Sequence, residues 1–281
     1  MEKLSQLFNN TEQSRLYNDR PEYNIEIVDE IIQFWRKYNT NLEKKKLNIV
    51  DVGCGTGQLT KLFIPYANSL IGTDSSETQI NEAKCNLTVK DFPKYITASC
   101  DNIPADDASI DLVTAALCVH WFDIDKFYAE VDRCLRQHGV LAIITFGEGR
   151  FILEENNKNI DELNHFFTQV FWFHDDYLGP YFHEKGKFAW KLLPGIKLLY
   201  PETSIRNESL SIDFKVTLNR LGNYLRSTST YQAWKKDNHN KRDVIEASLE
   251  KILGFLGNPE SRLDTEVHIN FAVSLIMCSK F

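Results

Sequence analysis

Three glycines fall within five positions in Val50-Asp-Val-Gly-Cys-Gly-Thr-Gly-Gln58, directly behind the short apolar run Leu47-Asn-Ile-Val-Asp-Val52. A run of this length without strict alternation suits a parallel strand buried on both faces. Glycines behind it let the backbone turn tightly and come close to a ligand. A helix opening there points its free N–H groups and positive end at that ligand. Pro65 predicts that this helix, begun near Gly57, ends close to residue 65. Few sequences constrain a fold so strongly in so few residues: strand, loop and helix, with a binding site at the strand's carboxyl end.

The same alternation continues on both sides of the loop. Ile25 to Tyr38 carries Ile27, Val28, Ile31, Ile32 and Trp35 at helical spacing, and a basic turn, Glu43-Lys-Lys-Lys46, leads into the first strand. Ser69 to Thr73 reads as a second strand closed by Asp74, and Ser76 to Asn86 as a helix capped by Ser76. Tyr95–Ser99, Ile110–Ala116 and Val140–Phe146 read as further strands, and Asp125–Gln137 as a helix stopped by Gly139. Strands separated by helices predict a parallel sheet covered on both faces. After residue 146 the texture changes: eleven aromatics occur in the forty positions 151–190, against 12% in the whole chain. This stretch reads as helices, either a lid over an apolar ligand or the core of a helical subdomain. Ile205–Asp213 reads as a strand, Leu218–Trp234 and Arg242–Leu256 as helices, and Glu266–Lys280 as a closing antiparallel strand.

The expected fold is therefore α/β: a Rossmann-like, seven-stranded, mostly parallel sheet with helices on both faces and an aromatic-rich helical insertion. Residues 1–150 would form the binding core, 151–240 the insertion with one sheet strand, and 241–281 the last helix and closing strand. A net charge of −7 excludes a broad cationic footprint for nucleic acid. The longest strongly apolar run, Val140 to Phe146, is too short to span a bilayer, which takes about twenty residues. Met1 to Phe8 lacks the apolar stretch of a signal peptide, and the sequons at Asn9, Asn86 and Asn207 read as chance. Six scattered cysteines without a Cys-x-x-Cys pair suggest buried free thiols in a cytoplasmic protein. The histidines show no paired metal spacing, so no metal is expected. Oligomeric state is not legible.

Asp74 lies 21 residues beyond Gly53, at the tip of the second strand, where a carboxylate can accept both hydroxyls of a ribose. Together with Asp51, Gly53, Gly55 and Gly57 it makes the chain resemble class I S-adenosylmethionine (SAM) dependent methyltransferases, whose signature is D/E-x-G-x-G-x-G. Dinucleotide-binding folds usually show G-x-G-x-x-G instead. The resemblance covers roughly residues 12–146 and implies SAM as cofactor. It implies that Asp74 and Ser75 hold the ribose, that Asp101 reads the adenine amino group beside the Asn102 backbone, and that Ala116 and Leu117 lie beneath the methionine part. Tyr17-Asn-Asp-Arg-Pro-Glu-Tyr23 is similar to a Tyr-x-x-Arg-Pro-x-Tyr-Pro element, with Asn24 in place of the last Pro. That element occurs in a small-molecule branch that includes trans-aconitate, cantharidin and juvenile hormone acid methyltransferases. By this resemblance Tyr17 and Arg20 close over the cofactor, Arg20 near its carboxylate. Leu225 to Trp234 is similar to a stretch that faces substrate in relatives, which points to Tyr231.

The expected reaction is methyl transfer to a small organic molecule, probed first as a carboxylate giving a methyl ester. A carboxylate is ionised at neutral pH and needs no base, whereas a hydroxyl or an ammonium does. His120 is the candidate base; substrate contact and packing are its other readings. Trp121 either offers a π-face to the sulfonium or to substrate, or packs. Arg20, Arg150 and Arg226 are candidate cations for an acceptor carboxylate. An O- or N-methyltransferase using His120, and a SAM-binding protein without catalysis, are the competing expectations.

Overall fold

The computed structural model describes residues 11–40, 45–87, 89, 91–153, 158–257 and 262–281. Glu43 and Lys44 of the basic turn, the Met1–Phe8 stretch and the Asn9 of the first sequon lie outside them. Chain order is α1 (Thr11–Leu16), α2 (Ile25–Tyr38), β1 (Leu47–Val52), β2 (Ala67–Asp74), α3 (Glu77–Cys85), β3 (Lys94–Thr97), β4 (Ile110–Ala116), α4 (Ile124–Cys134) and β5 (Leu135–Ile152). Then come α5 (Ile160–His165), α6 (Phe171–Phe173), α7 (Glu184–Trp190), β6 (Ile205–Asn207), β7 (Ser211–Thr217), α8 (Leu218–Arg226), α9 (Ser229–Asp237), α10 (Val244–Leu256) and β8 (Glu266–Ser279).

The sheet runs β3-β2-β1-β4-β5-β8-β6, with β7 also on β8. β1 to β5 are mutually parallel, and β8 is antiparallel to β5. Alternate residues divide the apolar load between two faces. Leu47, Ile49, Leu112, Val140, Ala142 and Ile144 meet α2 and much of the insertion. Val50, Val52, Val113, Ala115, Leu141 and Ile143 meet Phe127, Tyr128 and Val131 of α4. The expected seven-strand width holds in positions, but eight segments fill it. β6 pairs Leu275–Met277 and β7 pairs Glu266–Ala272, at the two ends of β8. The single strand expected over 205–213 breaks because the Asn207 side chain captures the Ser209 N–H, a local turn that competes with the ladder.

Three other boundaries differ from expectation. No α-helix opens at Gly57; turns lead into a 3₁₀ segment, Thr60–Tyr66, with Pro65 inside it. Pro65 lacks the N–H that a longer helix needs there. The helix expected over 218–234 is two, because Ser227 Oγ turns back to the Tyr224 carbonyl and Thr228 caps α9. α4 ends at Cys134, and residues 135–137, expected to be helical, begin β5.

The insertion is tied to the sheet through β5. Pairing with β8 is irregular between Phe146 and Gly149. A Cβ on Gly147 would stand 2.3 Å from the Trp190 carbonyl oxygen, so α7 reaches the strand only because this residue has none. Phe166, Phe167 and Phe171 are buried in the main core, where Phe166 meets Phe255 of α10. Trp172, Phe182 and Trp190 pack on one another at 5.1–5.9 Å. Some aromatics of the insertion thus pack in the main core and others line a cavity.

Candidate functional site

A cavity of about 600 Å³ opens at the carboxyl ends of β1, β2 and β4. Its floor is the glycine loop, where Gly53, Gly55 and Gly57 all have positive φ, +69°, +55° and +83°. Each serves differently. A Cβ on Gly53 would sit 2.7 Å from Cys118 Sγ, which donates to the Val52 carbonyl beneath the loop. A Cβ on Gly55 would meet only Gln79 and the Tyr17 ring at ordinary distances, so it is backbone conformation and cavity space that favour glycine there. Gly57 does not line the cavity: a Cβ would fall 2.1 Å from the Tyr95 hydroxyl, so its place is packing against β3.

Two acids brace the loop. Asp74 Oδ2 accepts the Gly55 N–H at 3.0 Å and Oδ1 the Ser76 N–H at 2.9 Å, which aims the carboxylate across the mouth of the loop. Burial raises its pKa against those hydrogen bonds. Asp51 is 1% exposed and takes hydroxyls on both oxygens, Thr60 at 2.6 Å and Thr114 at 2.7 Å. Burial pushes its pKa up to about 6 despite them. Asp51 lines the cavity, yet its oxygens are spent on tying β1 to β4 and to the segment after the loop. Ser75 and Asp101 also line the cavity, whereas Asn102 does not.

A strap crosses the opening. The Arg20 guanidinium lies 3.5 Å over the Tyr17 ring, and donates from Nε to Ser227 Oγ at 2.9 Å and from Nη2 to the Ser227 carbonyl at 3.0 Å. The Tyr17 carbonyl accepts from Gln58 beyond the glycine loop. Residues 17–20 therefore join the loop to the α8–α9 junction, and Tyr17 and Arg20 both line the cavity. Sequence reasoning missed Thr56 and Gln79, cavity-lining residues with buried polar atoms (Thr56 Oγ1; Gln79 Oε1 and Nε2) that no protein group satisfies. The usable signal for Gln79 was an amide beside Ile80 and Ala83 on the inner face of α3. An open glycine cradle, a cavity-lining carboxylate at the end of the second strand, and the unsatisfied Gln79 amide and Thr56 hydroxyl fit a polar, ribose-bearing cofactor.

Residues 50–143 match the sequence profile described as "Methyltransferase domain". A Saccharomyces cerevisiae protein named "probable S-adenosylmethionine-dependent methyltransferase CRG1" is 24% identical over 279 residues, covering 90% of each chain. A Dictyostelium discoideum protein, provisionally named a methyltransferase, is 27% identical over 265 residues, covering 94% of this chain and 91% of that one. The protein is a SAM-dependent methyltransferase. In fold it is similar to a structure from Anaeromyxobacter dehalogenans, provisionally assigned as a type II methyltransferase: the TM-score is 0.69, with 19% identity, 92% of this chain and 97% of that one covered.

Other segments complete the wall of the methyltransferase cavity. Ala116, Leu117, His120 and Trp121, from the segment after β4, line it together with Phe146, Trp172, Phe182 and Trp190. Trp121 lies between His120 and His183, at 5.0 and 5.7 Å, and its carbonyl accepts from Lys185 at 3.1 Å. His120 Nδ1 is buried without a partner. Desolvation, with Lys185 and Arg20 as the nearby charges, lowers its pKa to about 3, so the ring is neutral at physiological pH. Several expected contacts are elsewhere. Tyr231 is 3% exposed, donates to Asp243 at 3.1 Å and stacks on Trp234; its neighbours Thr228, Ser229 and Thr230 line the cavity instead. Arg226 is engaged by Asp243, and Arg150 by Glu148 with 67% of its side chain exposed. Neither lines the cavity, while Arg20 does. Three of the six free cysteines are buried, but Cys85 is exposed. Among the described residues no helix is long and apolar enough to cross a membrane, and no group of three metal-ligating side chains occurs.

Proposed function

We propose that this methyltransferase acts on a small organic acid and methylates its carboxylate oxygen, giving a methyl ester. His120 carries the reading. It is the histidine at the acceptor end, and the charges acting on it are the cations Lys185 and Arg20, with no acid among them. A base needs a conjugate acid with a pKa near working pH; at about 3 the ring cannot usefully take a proton from a hydroxyl or an ammonium. A carboxylate asks for no such transfer. Two ligands must share about 600 Å³, within the range of about 300–1,000 Å³ usual for one drug-sized ligand, which favours a small acceptor.

SAM supplies, when bound, a methyl on a sulfonium that a nucleophile displaces in line. Asp74 and Ser75 would hold its ribose, Asp101 its adenine, and the Gly53–Gly55 backbone with Ala116 and Leu117 its amino-acid part. Arg20, already stacked on Tyr17, would face its carboxylate. His120 and Trp121 would orient the acceptor, and Phe146, Trp172, Phe182 and Trp190 would keep water out. A Hamiltonella defensa relative, 28% identical over 123 residues and matching 43% of this chain, is named a malonyl-[acyl-carrier protein] O-methyltransferase; its oxygen acceptor agrees with this reading.

The test is incubation with methyl-labelled SAM and a small-molecule extract, followed by base treatment. Volatile, base-labile label is expected. Base-stable product from active enzyme would exclude the ester and restore a hydroxyl or amine acceptor.

A further inference from the structure

Trp172 stands apart among the aromatic residues of the insertion. It is 3% exposed, lines the cavity, and its indole Nε1 is buried without a hydrogen-bond partner. Leaving a buried N–H without a partner is costly, and native structures keep few of them. Trp35 carries a second such nitrogen, but it sits in the core beside Ile31 and Ile32 and does not line the cavity. The position of Trp172 is what differs. Phe182 and Trp190 pack on it at 5.5 and 5.1 Å and line the same cavity, so an apolar group entering there meets rings on several sides. α7, which carries Trp190, is held to the acceptor end by the Lys185 bond to the Trp121 carbonyl.

We propose that Trp172 is the acceptor-anchoring residue: its indole N–H donates to an oxygen of the acceptor, while Phe182 and Trp190 enclose a compact apolar body. The acceptor class is then a monocarboxylate with one polar end and a flat or branched hydrocarbon end. This deepens the ester reading and rests on the same cavity. An indole donor suits the role because it is uncharged and keeps its N–H across the working pH range; it selects for an acceptor atom at that point without drawing in a cation. Reaching Nε1 requires the ring to rotate or its neighbours to shift, so binding reorganises the Trp172–Phe182–Trp190 group.

The experiment is calorimetric titration of S-adenosylhomocysteine-loaded protein with benzoate, 4-tert-butylbenzoate, 2-naphthoate and octanoate, each beside its primary amide. Trp172→Phe keeps the ring and removes the donor; Trp35→Phe removes the other orphan nitrogen. For the tightest acid, Trp172→Phe should weaken binding about tenfold, the usual worth of one hydrogen bond. S-adenosylhomocysteine affinity should stay within about twofold in both variants, and Trp35→Phe should leave acid affinity unchanged. Equal acid affinity in Trp172→Phe and the parent overturns the proposal, as does a panel in which nothing binds. Amides that bind like the acids and suffer the same loss in Trp172→Phe would uphold the anchor and remove the ester reading. Wild-type ester formation by Trp172→Phe would do the reverse.

Discussion

Asp51 and His120 show how much a single buried ionisable group can decide. Asp51 has its pKa raised from 3.8 to about 6 in the fold. Its folded form holds a proton more tightly than the unfolded chain does. Stability from this group is therefore full below pH 3.8 and falls as pH rises through 6, by about 3 kcal/mol in all. Asp51→Asn keeps the shape without the charge, and the Thr60 and Thr114 hydroxyls can rotate to suit it. Denaturant unfolding should show the parent losing stability relative to Asp51→Asn between pH 4 and pH 6.5; parallel curves would contradict this. His120 works in the opposite sense. With a folded pKa near 3 against 6.5, its contribution is present above pH 6.5 and lost as pH falls towards 3. As an orienting group rather than a base, His120→Gln should raise the acceptor KM about tenfold or more while changing kcat by less. A kcat loss of a thousandfold with KM unchanged would make it the base after all. Both residues were visible in the sequence, since each adjoins a strand end. Their charge states were not, because desolvation is set by residues distant in the chain.

At the scale of elements, the glycine loop was legible because strand, turn and acid follow one another within 28 residues, Leu47 to Asp74. What the spacing could not tell was which glycine serves the ligand and which serves packing. Gly57→Ala should cost more stability than Gly55→Ala: both impose a left-handed backbone on a residue with a Cβ, about 1–2 kcal/mol each, but only at 57 does the new atom strike Tyr95. Gly57→Ala with Tyr95→Ala should recover much of the difference in thermal unfolding; no recovery would place the clash elsewhere. The strap is the part least legible. Arg20, expected near the cofactor's carboxylate, also ties its Nε and Nη2 to Ser227, 207 residues away, which no local motif reveals. Ser227's carbonyl also accepts from Gln13. Arg20→Ala should therefore weaken SAM binding and expose residues 11–20 to proteolysis together, two readouts that a simple ligand contact would separate. Tyr231 illustrates the same limit: a short motif pointed to this residue, and the break between α8 and α9 places its neighbours Thr228 to Thr230 on the cavity instead.

For the molecule as a whole, alternation of strand and helix predicted the sheet, and the division at residue 150 followed from a change in composition. The closing strand ties the two sides of residue 150 together. β8 lies between β5 and the paired segments β6 and β7, and its pairing with β5 extends from Val140–Ser279 to Ile152–His268. A fragment ending at residue 150 would leave β5 with a bare edge, and expression of residues 1–150 should give no cooperative unfolding transition by circular dichroism. A sharp transition would show the first half to be autonomous. β8, the last of the described strands in chain order, thus occupies an interior place in the sheet. During synthesis the nascent chain can assemble its glycine loop long before it can finish the wall against which the insertion rests. Completion of β8, rather than appearance of the glycine loop, then marks the moment at which that wall first exists, and a product stopped before β8 would lack it.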